Sequence, residues 1–129
     1  MLNPNAQKWA TALRSGDYKQ GQHKLRVDDT FCCLGVACDL YAKENPTKAK
    51  WGTFLSDYVF EVKDKEVNRD TLPGSVMEWL GLNTNTGGFI PDESKFGINS
   101  LAQLNDHGER PFSYIADIIT SQPKGLFNA

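Results

Sequence analysis

The chain has 129 residues, 40% of them apolar and 23% charged, with a formal charge of −2. That length suits one domain able to bury a core without metals or disulfides. The mixed charges exclude a broad nucleic-acid surface, which needs a basic stripe, while leaving room for a local basic pocket. No apolar stretch approaches the roughly 18 residues of a membrane helix, and Met1 to Asn5 lack the basic-then-apolar pattern of a signal peptide. The cysteine count is odd, three, with two adjacent. A disulfide framework uses even sets at wider spacing, so a reducing cytoplasm is expected.

In chain order, Asn3-Pro4 predicts a helix start, with Asn as cap and Pro at the first helical position. Ala6, Trp9, Ala10 and Leu13 follow at helical spacing, and Gly16 ends the helix. Residues 17–29 are polar and read as a turn, with a short strand around Lys24–Val27. The next helix should run over about residues 31–44. Cys33, Leu34, Ala37, Leu40 and Tyr41 make one face, and Cys32 and Val36 widen it until most of the girth is apolar, the pattern of a central helix. Asp39 and Lys43 mark its wet side, and Asn45-Pro46 stops it.

Residues 51–63 alternate loosely, and Tyr58–Val62 is the best strand. Asp64 to Asp70 reads as a charged turn. Leu72-Pro73 opens a short helix carrying Val76, Met77, Trp79 and Leu80, closed by Gly81. Residues 83–97 read as a long loop, a common place for function. Asn99 or Ser100 caps a short helix through Leu104, and Asn105-Asp106-His107-Gly108 reads as a turn. Pro111 starts a last helix with Phe112, Ile115, Ala116 and Ile119 on one face, and Pro123 ends it. The expected fold is a single α+β domain over residues 1–129: a central buried helix, four shorter helices and a small antiparallel sheet.

The ordered motifs resemble a family of small, largely uncharacterised phage and prophage proteins. They are Trp9 to Gly16, Tyr18-Lys19-Gln20-Gly21 with Leu25-Arg26, Phe31-Cys32-Cys33-Leu34-Gly35-Val36, Cys38 to Tyr41, Leu72 to Leu82, and Leu104 to Ile119. The resemblance implies a phage-encoded protein acting in the bacterial cytoplasm, of the kind that counters host defences by binding a protein or sequestering a nucleotide signal.

The thiols admit three roles. Cys32 or Cys33 at a helix N-terminus would have a lowered pKa, and His23 or His107, with Asp106, could supply a base. Cys33 and Cys38, five apart, match no usual zinc spacing. Burial in the apolar helix fits best, so no catalytic residue, metal or cofactor is assigned.

The strongest polar constellation is Tyr18-Lys19-Gln20-Gly21 with Arg26. Lys19 and Arg26 supply cationic donors for phosphate or carboxylate, Gly21 permits close backbone approach, and Tyr18 could stack on a base. It lies just before the central helix, whose N-terminus favours an anion. Phe89, in the Gly87-Gly88 loop, is placed at a pocket mouth or subunit contact. Asn105 and Asp106 join the candidate site, although turn chemistry alone accounts for them. A helix-turn-helix reading of the terminal helices fits poorly with Asp117 and the scarcity of basic residues.

These residues point to a binding protein without catalysis that takes a small anionic ligand. The resemblance implies a ligand of nucleotide type, and the aromatic loops offer contact surface for an expected homo-oligomer. The alternatives are a protein–protein inhibitor of a host factor and a cysteine hydrolase.

Overall fold

Asn3 behaves as its sequence position demands: its side chain accepts from the backbone N–H of Asn5 at 2.7 Å and of Ala6 at 3.3 Å. The structure, a computed structural model, describes residues 2–90, 99–107 and 110–128. Helix α1 spans Pro4–Ser15, buries Ala6, Trp9, Ala10 and Leu13, and ends at Gly16, whose φ of 81° suits a residue without a Cβ.

Residues 17–31 hold more strand than expected. Three two-residue strands, β1 (Lys19–Gln20), β2 (Arg26–Val27) and β3 (Thr30–Phe31), form a sheet in the order β1-β3-β2. β1 pairs with β3 in parallel, and β2 pairs with it antiparallel. Two residues are too few to show a period of two, so this small mixed sheet leaves no pattern in the sequence.

Helix α2 spans Cys33–Glu44, with Cys33 to Cys38 and Tyr41 buried. Cys32 caps it: its Sγ accepts from Gly35 N at 3.3 Å. It is central as expected, packing on α1 and, further along the chain, on β4 (Ala49–Phe54), α3 (Gly74–Leu80) and α4 (Leu101–Asp106). The Trp9 indole donates to Cys33 O at 2.8 Å and ties α1 to its first turn. Gly35 lies directly against the backbone of Leu25, the residue before β2. A Cβ there would stand 1.8 Å from Leu25 O, so only glycine permits the approach.

The second sheet is antiparallel, with β4, β5 (Asp57–Val62) and β6 (Glu66–Asn68) in that order. Its inner face sets Trp51 opposite Phe60 and Ala49 opposite Val62. The expected charged turn over 64–70 contains β6, a short edge strand that its charges disguise. Leu55 and Ser56 turn the β4–β5 hairpin with φ of 50° and 75°.

Helix α3 ends at Gly81 as expected, with φ of 75°. Ser100 caps α4 by accepting from Gln103 N at 3.1 Å. Asn105 and Asp106 are the last residues of α4 rather than a free turn. Gly108, and residues 91–97 of the expected long loop, lie outside the described residues. Helix α5 (Phe112–Ser121) packs on α1, with Pro111 as its cap rather than its first residue. Two expectations change. There are two small sheets instead of one, and α1 equals α2 in length at 12 residues.

Candidate functional site

The polar residues nominated before the central helix meet around a buried amide. Asn105 is fully buried. Its Oδ1 accepts from Gln20 Nε2 at 2.8 Å and from Cys33 N, in the first turn of α2, at 3.2 Å. Its Nδ2 donates to Gly21 O at 2.8 Å and to Asp106 Oδ1 at 2.9 Å. A primary amide offers two donors and two lone pairs, and all are used. Gln20 Nε2 donates again to Arg110 O at 2.8 Å, and Asp106 Oδ1 accepts from His23 N at 2.8 Å. Gln20, Gly21, Asn105 and Asp106 are therefore brought together, but they spend these polar groups on one another. They fix the β1–β2 loop to α4 and to the start of α2. Lys19 is exposed beside them.

Tyr18 and Arg26 face a different place, an open groove of about 660 Å³ between α1, α2 and the first sheet. Tyr18, Arg26, Phe31, Asp39, Leu40 and Lys43 are in its wall. Asp39 organises the wall. Its Oδ2 accepts from Tyr18 Oη at 2.5 Å and from Lys43 Nζ at 3.1 Å, and its Oδ1 accepts from the Trp51 indole at 3.0 Å. Burial alone would raise the Asp39 carboxyl, but these donors outweigh it and hold it below the ordinary aspartate range. Burial, then the bond to Asp39, raises the Tyr18 phenol, and the bonds to Asp39 and Tyr18 raise the Lys43 ammonium. Lys43 also covers the Tyr18 ring, its Nζ 5.3 Å from the centroid.

Arg26 sits among three rings. Its guanidinium carbon lies 4.0 Å from the Tyr58 centroid, 5.1 Å from Phe31 and 5.5 Å from Trp51. Its Nε donates to Asp28 O at 2.8 Å. Among the described residues Arg26 forms no ion pair, and its two terminal nitrogens donate to no protein group. A cation fixed by aromatic faces and lacking a counter-charge is a preorganised seat for an anion.

Phe89 and Asp106 line a second groove of about 520 Å³, with Asn99, Gln103 and His107. The nominated residues therefore fall into three places: the buried amide hub, the Arg26 groove and this second groove. Reading the sequence missed Phe31, Trp51 and Tyr58 as partners of Arg26, and placed Asp39 and Lys43 only on a wet face. The i,i+4 spacing of Asp39 and Lys43 was the one available signal.

The thiols are out of reach. All three cysteines are buried, and Cys33 Sγ points at Leu101 O, 3.5 Å away. Burial pushes Cys32 up to about 12 and Cys33 and Cys38 well above the ordinary thiol range. The His23 and His107 rings lie 5.8 Å apart. Among the described residues no group of three or more His, Cys, Asp or Glu could hold a metal, and no helix is long and apolar enough to cross a membrane.

Fold and site together define a single α+β domain with an open groove lined by an arginine that forms no ion pair among the described residues. The chain belongs to the family described as a domain of unknown function (DUF8296), which matches residues 1–123. Comparison with curated proteins gave no match, and comparison with solved structures gave none either.

Proposed function

We propose that this domain is a binding protein without catalysis, and that the Arg26 groove seats a small anionic ligand of nucleotide type. The observation that carries the reading is the guanidinium of Arg26, set over Tyr58 and, among the described residues, without an ion-pair partner. Holding the cation in place before the ligand arrives lowers the ordering cost of binding. The groove's volume falls in the range of small-molecule sites. The motif resemblance adds the setting: a phage-encoded accessory protein, acting as a homo-oligomer in the bacterial cytoplasm, that removes a nucleotide signal of host defence.

Melting the purified protein against nucleoside monophosphates, cyclic nucleotides and ADP-ribose derivatives tests the reading. A ligand at a hundredfold excess over its Kd stabilises the folded state by about 2.7 kcal/mol, a clear upward shift. Silence across the panel would contradict it.

A second reading, a protein inhibitor of a host factor, draws on the tip of the β4–β5 hairpin. Phe54 and Leu55 are 65% and 83% exposed there. Capture of one stable host partner whose binding is lost on Phe54→Ser would favour it. The hydrolase reading has no accessible thiol to act through.

A further inference from the structure

We infer that the ligand of the Arg26 groove carries its charge on a single terminal oxyanion, a phosphate monoester or a carboxylate, attached to an apolar or aromatic body. This deepens the proposed function and rests on it.

Among the described residues three cations line the groove: Lys8, Arg26 and Lys43. Two are already neutralised. Lys8 pairs with Glu44 at 3.2 Å, and Lys43 pairs with Asp39 at 3.1 Å. Asp17 and Asp39 also line the groove and oppose further negative charge. Among the described residues one cationic seat therefore remains, and a second phosphate along the groove would meet Asp17 and Asp39 with only neutral or already paired donors beside them.

The geometry of Arg26 sets how the head docks. A guanidinium can grip an oxyanion through its Nε edge or through its two terminal nitrogens. The Nε donates to Asp28 O, so the terminal edge is the one left. The Tyr58 ring covers a guanidinium face. An oxyanion with two oxygens in the guanidinium plane fits this edge end-on. Ala12, Leu40 and the Phe31 ring supply apolar surface in the same groove, beside the uncharged Gln7, Thr11 and Ser15. That apolar surface rewards a hydrophobic or aromatic body and offers little to a bare ion.

Two pairs of probes test this by calorimetric titration. AMP and ATP share a body and differ in phosphate chain length. Phenyl phosphate and benzoate share a ring and differ in head. AMP should bind at least as tightly as ATP, and phenyl phosphate or benzoate should bind at least tenfold tighter than inorganic phosphate or acetate. The tighter of the two ring probes tells which head the groove prefers. Arg26→Lys, which keeps the charge and loses the fork, should weaken the better probe tenfold or more while the circular dichroism spectrum shows the fold retained. Tenfold tighter binding of ATP than AMP, still lost in Arg26→Lys, would overturn the single-head inference and leave the anion site standing. Binding of no probe, or binding indifferent to both Arg26→Lys and Arg26→Ala, would overturn both.

Discussion

At the residue scale, Asn105 looked like a turn residue because Asn, Asp and Gly follow one another there. Its true role depends on Gln20 and Cys33, which lie 85 and 72 positions away, and no local pattern reports such partners. Asn105→Ala would leave the Cys33 N–H, the Gly21 carbonyl and the Gln20 amide short of a partner, at about 1–3 kcal/mol for each group that stays buried and unsatisfied. The expected loss is about 3 kcal/mol in urea unfolding; a loss below about 1 kcal/mol would show that water replaces the side chain. The cysteines were legible, because their apolar neighbours predicted burial. Native protein at pH 8 should resist iodoacetamide at Cys32, whose thiol is pushed up to about 12. Labelling of Cys32 at the rate of the denatured chain would contradict that burial.

At the scale of elements, α1, α2, α3 and α5 were readable because each has enough turns to show an apolar face or a clear cap. The strands of the first sheet were not, at two residues apiece. Nor was the glycine that seats α2. In an exposed helix Gly→Ala gains up to about 1 kcal/mol. At Gly35 the added Cβ would meet a backbone carbonyl at 1.8 Å, so the sign reverses. Gly35→Ala should destabilise by about 1–3 kcal/mol, as overpacked cores do. A raised urea midpoint would contradict the close approach of α2 to the Leu25 backbone.

Asp39 joins α2 to Tyr18 and to Trp51 of β4, and this joint carries a pH signature. Its carboxyl is lowered in the folded state, so the unfolded chain takes up the proton first as pH falls. The stabilisation is complete above the ordinary aspartate value of about 3.9 and is lost as pH drops through the lower folded value. Asp57 is likewise lowered, by Lys24 and Arg69, but that contribution is common to wild type and Asp39→Asn and cancels between them. The stability gap between the two proteins should be widest near pH 6 and shrink toward pH 2. A gap that stays constant over that range would contradict the charged joint.

For the whole molecule, the α+β class and the central helix were legible, and the layout of the site was only partly so. Tyr18 and Arg26 were nominated and do share a groove. Gln20, Gly21 and Asn105 were nominated with them and form the buried hub instead, while Phe89 faces the second groove. The rings that hold Arg26 come from β3, β4 and β5, so only the folded sheets assemble the seat. Three tryptophans make its occupancy directly observable. The Trp51 indole borders Arg26 and bonds Asp39, whereas Trp9 is bonded to Cys33 O within the core and Trp79 packs on Tyr41. The decisive measurement is a nitrogen–proton NMR titration with AMP, following the indole and arginine side-chain signals. Ligand in the groove should move the Trp51 indole and the Arg26 side chain together and leave Trp9 and Trp79 in place. Saturation with Trp51 and Arg26 unmoved, or no response at all, would contradict a ligand seat at Arg26.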